Sequence, residues 1–131
     1  MHALIRGVVA GAIVLVLGGC SIHVTGKDGA DGRDGGLVEF ERDNRLAIES
    51  LRLGMGLPEV QSVMPHESDF SEAFTVGGAS YRVLFYRTQR VARDGVTTRD
   101  ETTPLVFRNG ELMGWGESAW FELTGRPLVR Q

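Results

Sequence analysis

Apolar residues between positions 44 and 65 recur at the spacing of a helix face and predict two short helices. The first runs from Asn44, as its N-cap, to Gly54, and the second lies between Gly56 as its cap and Pro65 beyond its end. Pro58 falls in the first turn of the second helix, where its missing N–H does no harm. The two apolar stripes are Ala47, Ile48 and Leu51, and then Leu57, Val60, Val63 and Met64. Neither helix is long enough to be stable alone, so both must pack on another element.

Beyond the helices the apolar residues alternate with polar ones, which predicts strands. Residues 70–76 and 79–88 flank Gly77-Gly78, a two-residue turn signal typical of a β-hairpin. Successive side chains of a strand point to opposite faces of its sheet. In the second strand, one face therefore carries Tyr81, Val83 and Phe85, and the other carries Arg82, Leu84 and Tyr86.

A second hairpin is predicted where residues 105–108 and 111–115 flank Asn109-Gly110. Asn-Gly is the strongest short hairpin signal in the chain, because both turn positions favour a positive φ. A two-residue turn there pairs Arg108 with Glu111, Phe107 with Leu112 and Val106 with Met113. Together the patterns predict an α+β fold in which two short N-terminal helices pack on a small antiparallel β-meander sheet.

The polar stretch between the hairpins, residues 89–103, contains the turn signal Asp94-Gly95 and has two interpretations. Its arginines could grip an anionic headgroup or a carboxylate-bearing partner, and the residues proposed for this contact are Arg87, Arg90, Arg93 and Arg99. Alternatively, the stretch is a solvated hairpin whose alternating charges cancel. Trp115 joins the candidate contacts because Trp and Arg are enriched in interface hot spots, although filling the core between Gly114 and Gly116 is its preferred interpretation. Trp120 and Phe121, in the tail, either cap the core or lie exposed.

The N-terminus has a different pattern. Arg6 precedes an uncharged run over residues 7–19 that is rich in aliphatic residues and ends in small ones, as in an export signal. The run is shorter than the roughly 18–20 apolar residues that a membrane-spanning helix needs. An ordinary secretory signal is one interpretation, but Leu17-Gly18-Gly19-Cys20 resembles the bacterial lipobox.

That resemblance implies transfer of a diacylglyceryl group to the Cys20 thiol, cleavage before Cys20 and acylation of the new amine, as by palmitate. Several acyl chains would anchor the protein durably, whereas a single chain gives only marginal binding. Ser21, rather than Asp, follows Cys20. By analogy with enterobacterial sorting in a two-membrane host, this implies the outer membrane.

Three segments are therefore expected. Residues 1–19 are a lipoprotein signal peptide, residues 20–36 are a lipidated and flexible Gly/Asp-rich tether, and residues 37–131 form the α+β domain. The tether repeats Gly-X-Asp three times, and its aspartates could in principle gather a calcium ion: Asp28, Asp31 and Asp34. No Glu completes a loop of known spacing, so a solvated tether is the preferred interpretation and no metal site is predicted.

Composition narrows the function classes. The formal net charge is −3, which disfavours nucleic acid as a partner. Cys20 is the only cysteine, so its modification leaves none for an internal disulfide. His66 is the only imidazole in the predicted domain, and neither a zinc-ligand spacing nor a phosphate-binding loop accompanies it. We therefore predict no catalytic residues, no cofactor and no enzyme activity.

Two family resemblances add to this interpretation. Leu53-Gly54-Met55-Gly56-Leu57-Pro58-Glu59-Val60, followed by a meander of strands, is similar to the BamE (SmpA/OmlA) family of outer-membrane lipoproteins. More closely, four stretches look like a family of uncharacterised proteobacterial lipoproteins, over roughly residues 46–118: residues 83–88, 94–101, 104–110 and 114–116. These resemblances imply an α+β fold of helices on an antiparallel sheet and a lipid anchor at the periplasmic face of the outer membrane. They imply no activity.

The expected function is a lipid-anchored, non-enzymatic binding or scaffold module of the cell envelope, accessory to outer-membrane or envelope assembly. Its expected partners are the membrane, through the N-terminal lipid, and another envelope protein. The alternative is an inhibitor or a ligand or lipid sensor that uses an exposed face of the sheet. Such a protein needs a concave, aromatic-lined face that is open to solvent.

Overall fold

The structure is a computed structural model that describes residues 31–130, with side chains from residue 35 onward. The predicted signal peptide, Cys20 and residues 20–30 of the predicted tether lie outside this range. The described elements are α1 (Asp31–Glu49), α2 (Leu57–Val63), β1 (Phe70–Val76), β2 (Ala79–Arg87), a 3-10 turn (Arg99–Glu101), β3 (Thr102–Arg108), β4 (Glu111–Trp115) and α3 (Gly116–Thr124). The four strands form one antiparallel sheet in chain order, which confirms the predicted α+β meander.

Helix α1 is longer than the sequence predicts. It begins at Asp31, so residues 31–36, which were assigned to the flexible tether, are helical. Asn44 is therefore not an N-cap but an interior residue of the helix, and it is only 1 % exposed. The buried face of α1 is formed by Glu41, Asn44 and Ile48, at helical spacing. The helix continues toward its N-terminus through Gly32, Gly35 and Gly36, although glycine disfavours a helix interior by about 1 kcal/mol per residue relative to alanine.

Helix α2 has the predicted position, with Gly56 as its N-cap and a proline in its first turn. Val60 is fully buried and Met64 is nearly so, but Val63 is 40 % exposed. The reason is geometric: at 3.6 residues per turn, a residue six positions after Leu57 lies about 120° away from it around the helix. Val63 therefore does not belong to the buried stripe to which the sequence pattern assigned it.

Helices cover both faces of the sheet. Alternation in β2 divides the core as predicted, with Leu84 and Tyr86 packed with α1 and α2, and Val83 and Phe85 on the opposite face. The second face is covered by α3, an element that the sequence interpretation left open as a tail. Its covering residues are Ala119, Trp120 and Leu123. Phe121, which follows Trp120, is 54 % exposed.

Both predicted hairpin turns are present, and Asn109 adopts a φ of 51° while Gly110 adopts 84°. The predicted pairs of Arg108 with Glu111 and Phe107 with Leu112 are observed. The predicted pair of Val106 with Met113 is wrong, because an irregularity between Val106 and Phe107 places Gly114 opposite Val106. A bulge of this kind leaves one residue unpaired, here Met113, which is 44 % exposed.

The connection between α1 and α2 holds both helices to the outer edge of β4. The Gly54 N–H donates to the carbonyl of Leu112 (2.8 Å), and the Leu112 N–H donates to the carbonyl of Met55 (2.8 Å). The Leu57 N–H donates to the carbonyl of Gly110 (2.9 Å). These bonds satisfy backbone groups that an edge strand otherwise exposes.

Candidate functional site

The polar segment between β2 and the 3-10 turn, residues 88–98, wraps around a carboxylate instead of forming the predicted hairpin. One oxygen of Glu101, Oε1, accepts the N–H groups of Val91 (2.9 Å) and Ala92 (3.0 Å). The other, Oε2, accepts the N–H of Thr98 (3.2 Å). The Glu101 carboxylate thus accepts the backbone N–H groups that would otherwise pair with a neighbouring strand. The segment accordingly contains no strand.

The Glu101 carboxyl group is fully buried. Burial by itself raises the pKa of the Glu101 carboxyl, but the backbone N–H groups of Ala92, Val91 and Thr98 and the charge of Arg87 together lower it below its ordinary value. The group therefore stays ionised inside the protein at neutral pH. An ionised carboxylate at this depth requires a cation nearby.

That cation is Arg87, whose side chain is only 3 % exposed. Its Nε donates to Oε1 of Glu41 on α1 (2.9 Å), and its Nη1 lies 3.2 Å from Oε2 of Glu101. Nη1 also donates to the hydroxyl of Thr97 (2.9 Å). We refer to Glu41, Arg87 and Glu101 as the Arg87 cluster. The guanidinium that sequence reasoning assigned to a partner contact thus lies inside the fold and binds two of the protein's own carboxylates.

Backbone contacts of Arg87 connect the cluster to other elements. Its N–H donates to Oδ2 of Asp69, just before β1 (2.7 Å), and its carbonyl accepts from Nδ2 of Asn44 on α1 (2.8 Å). Removing one partner of a buried ion pair costs about 3–5 kcal/mol, because the other charge is left uncompensated. The arrangement is therefore suited to joining α1, the sheet and residues 88–101.

Arg90 and Arg93 lie on the segment that follows β2. The Nε of Arg90 is 4.0 Å from Oε1 of Glu41, so Arg90 approaches the same carboxylate as Arg87. Arg93 is exposed and also has an interaction partner. Asp94 beside it forms an ion pair with Arg130. The backbone N–H of Val96 has the largest effect on the pKa of the Asp94 carboxyl and lowers it. Burial and the charge of Glu101 raise this pKa, Arg130 lowers it, and the net change is downward.

Arg99 and Trp115 lie elsewhere. The Arg99 guanidinium forms an ion pair with Glu72 of β1 and stacks over two rings, 4.2 Å from the centre of Phe85 and 4.7 Å from that of Phe70. Trp115 pairs with Leu105 and packs, half-buried, against the core on the α1 side. The structure thus brings Arg87 and Arg90 together around Glu41, but it does not gather the five candidate residues on one surface.

Sequence reasoning missed the partners that fix these arginines. Glu41 lies 46 positions from Arg87, and no local pattern links them. A local signal for Glu101 does exist: Thr98-Arg99-Asp100-Glu101 has the Ser/Thr-x-x-Glu spacing of a capping box, and the structure forms that box. This spacing predicts a helical turn within the stretch for which a hairpin was expected.

His66, the imidazole of the domain, stacks on Phe40 with ring centres 3.5 Å apart. Its Nε2 is buried and has no hydrogen-bond partner within residues 31–130. In that same range, no three His, Cys, Asp or Glu side chains are grouped so as to hold a metal ion. None of the helices described there combines the length and hydropathy needed to cross a membrane.

Comparison with protein families assigns the chain to one family. Residues 19–122 match the family described as "Protein of unknown function (DUF3192)". The chain belongs to this family. The DUF3192 match includes Cys20, both hairpins and most of α3. Neither the curated proteins nor the solved structures yield a match to the chain.

Proposed function

We propose that this protein is a lipid-anchored component of the cell envelope that acts as a non-enzymatic binding or scaffold module. The observation that carries the proposal is Leu17-Gly18-Gly19-Cys20 at the end of an uncharged apolar run. This arrangement resembles a lipobox, and Cys20 falls within the family match. A lipidated Cys20 would hold the domain close to a membrane surface.

The positions and contacts of the charged side chains support a binding role rather than a catalytic one. Catalytic acids, bases and nucleophiles need a position in a cleft and access to a substrate. In the described part of the chain, Arg87 and Glu101 are instead buried against each other. His66 is stacked on Phe40. These groups stabilise a small rigid body of the kind that presents a surface.

We place the protein at the periplasmic face of the outer membrane, as an accessory to envelope assembly. The two N-terminal helices and the antiparallel meander support this proposal, since they agree with the resemblance to the BamE family. The alternative of an inhibitor or sensor requires an open sheet face. Helices pack on both faces of the central strands in the described structure, which favours the first proposal.

The anchor is tested by comparing wild type with Cys20→Ser and with the neighbouring control Ser21→Ala. We expect wild type and Ser21→Ala to fractionate with membranes and to carry an acylated Cys20 at the N-terminus. Cys20→Ser should be released from membranes or remain as an uncleaved precursor. Mass spectrometry of the mature N-terminus checks the modification directly, and density separation of the two membranes checks the location.

Membrane association of Cys20→Ser with normal processing would contradict the anchor. The scaffold role has a separate test: cross-linking of wild type in intact cells, with Cys20→Ser as the control. We expect a discrete cross-linked envelope protein that depends on Cys20. Failure to find one, with the anchor intact, would overturn the scaffold role and leave the location unchanged.

A further inference from the structure

A cavity of about 220 Å³ lies beside α3, between the edge strand β1 and the C-terminal segment. Its walls are Glu72 and Phe74 of β1, Arg99 of the 3-10 turn, Trp120 of α3 and residues 126–129. It is separate from the Arg87 cluster, which contributes no residue to it. The features of this cavity are independent of the proposed lipid anchor.

The apolar part of the cavity is aromatic. The rings of Phe74 and Trp120 lie 6.2 Å apart at an interplanar angle of 57°, and Leu128 belongs to the same apolar cluster. A cavity of about 150 Å³ is large enough to hold benzene. The space here therefore accommodates one ring or a short branched chain together with a small polar group.

The charged part of the cavity has an excess of one positive charge. Arg99 is balanced by Glu72, and the rings of Phe70 and Phe85 hold its guanidinium in a fixed plane. Arg126 is exposed, and its side chain makes no ion pair within residues 31–130. A guanidinium offers five N–H donors in a fork that matches a carboxylate. One negative charge is thus complementary to this site, whereas a dianion would leave a charge unbalanced.

Trp120 adds a donor without an acceptor. Its indole Nε1 is buried and has no hydrogen-bond partner in the described chain. A buried polar group without a partner is unfavourable, and most such groups in folded proteins have one. The Trp120 ring lines the cavity, so a ligand bound there changes the surroundings of this N–H.

We propose that this cavity binds a small monocarboxylate that has an apolar ring or branched chain. The apolar part packs against Phe74, Trp120 and Leu128. The carboxylate bridges Arg126 at the rim and the guanidinium of Arg99. This assigns a ligand-binding site to the face of the sheet that carries α3.

The test uses the full 131-residue chain and two probes with the same apolar body, 3-phenylpropionate and its neutral amide, 3-phenylpropionamide. The chain has two tryptophans, so its NMR spectrum contains two indole N–H signals, which a Trp115→Phe variant assigns. The Trp120 signal should shift in a saturable manner with the carboxylate. The Trp115 signal, on the opposite side of the core, should not move. We expect a Kd that is roughly millimolar or tighter.

Charge recognition is tested with Arg126→Gln, and Arg52→Gln serves as the matched control because Arg52 is also exposed but lies between α1 and α2. Loss of a charge-assisted hydrogen bond should weaken binding of the carboxylate on the order of tenfold in Arg126→Gln. Arg126→Lys, which keeps the charge, should recover most of the affinity. Arg52→Gln should bind as wild type does.

Three results would each support the site. These are a preference for the carboxylate over the amide, loss of that preference in Arg126→Gln, and a shift of the Trp120 signal without a shift of the Trp115 signal. The proposal is overturned if the Trp120 signal does not saturate, if both indole signals move together, or if carboxylate and amide bind equally. It is also overturned if folded Arg126→Gln retains the wild-type affinity. Sulfate, which is a dianion at neutral pH, should bind more weakly than the carboxylate when titrated in parallel, and the reverse order would contradict selection of a monoanion.

Discussion

At the level of single residues, Glu101 determines the path of the chain between β2 and β3. Its two oxygens accept backbone N–H groups from both ends of the segment, at Val91, Ala92 and Thr98, while Arg87 balances its charge. One buried carboxylate thereby replaces the backbone pairing that a hairpin would supply. The conformation of the segment is consequently sensitive to the charge of this one group.

The stability of the protein should therefore depend on pH through Glu101. Its pKa in the folded protein lies below the ordinary value of 4.5. The ionised group thus stabilises the fold above that pH, and the stabilisation is lost as the pH falls through the folded-state pKa. Glu101→Gln should lower the free energy of unfolding at neutral pH by about 1–3 kcal/mol. The cost is below that of an isolated buried ion pair because Glu41 still balances the charge of Arg87. The substitution should also make stability fall less between about pH 6 and pH 3 than in wild type.

Urea unfolding at a series of pH values measures both effects. Glu111→Gln, which neutralises an exposed carboxyl on β4, is the control and should follow the wild-type profile closely. Parallel pH profiles for wild type and Glu101→Gln would show that the carboxylate does not stabilise the segment through its charge.

At the level of elements, the two hairpins are fixed by their turns. Asn109 has a positive φ of 51°, and its side-chain Oδ1 accepts the N–H of Ser80 (3.0 Å). Its own N–H donates to the carbonyl of Ser80 (2.7 Å). The turn between β3 and β4 is therefore also attached to the start of β2.

Asn109→Val should destabilise this hairpin, because a β-branched residue disfavours positive φ and valine cannot accept the Ser80 N–H. We expect the free energy of unfolding to fall by about 2–3 kcal/mol, from backbone strain of about 1–2 kcal/mol and one lost hydrogen bond. Asn109→Gly separates the two causes, since it keeps the backbone conformation and loses only the side-chain contact. Chemical denaturation of all three proteins measures the difference, and equal stability of Asn109→Val and wild type would contradict the role of the turn.

Elements with local signals were predictable from the sequence, and those that depend on distant contacts were not. Gly77-Gly78 and Asn109-Gly110 specify their turns through residues that adopt a positive φ, and Gly56 with Pro58 marks the start of α2. Helix α3 follows β4 directly, with Trp115 at its N-cap position and no side-chain hydrogen bond there. The sequence therefore has no capping residue that would predict the start of this helix.

The candidate site was less predictable, because the role of each arginine depends on its partners. Arg87 ends an apolar strand and Arg99 lies in a polar stretch, but neither position indicates which carboxylate will be the partner. Arg87 is buried against Glu41, whereas Arg99 lies over Phe85 and pairs with Glu72. Only the tertiary arrangement of α1 and β1 distinguishes these two environments.

At the level of the whole molecule, the sheet is held between α1 and α2 on one side and α3 on the other. The contacts that fix α1 belong to its C-terminal half, where its first buried side chain within the described residues is Glu41. Gly35 and Gly36, near its start, have no atoms within 4 Å of the position of a Cβ. The N-terminal turns of this helix therefore add little to the packing of the domain.

Deleting residues 26–35 should consequently leave the domain folded. We expect the free energy of unfolding to change by less than about 0.5 kcal/mol, as for changes away from packed features. A longer deletion, of residues 26–44, removes both Glu41 and Asn44 from the neighbourhood of Arg87 and should cost at least about 3 kcal/mol. Thermal unfolding of the two proteins distinguishes the cases, and a large loss in the shorter deletion would mean that the start of α1 is part of the stable fold.

The way in which Glu101 holds residues 88–98 has a consequence for hydrogen–deuterium exchange. The amide protons of Val91, Ala92 and Thr98 are bonded to a carboxylate, although none of these residues belongs to a helix or strand. They should exchange slowly in deuterated solvent, as amides of regular secondary structure do. Isotope labelling of this segment would therefore report the ionisation of one side chain, where slow exchange is ordinarily attributed to backbone pairing.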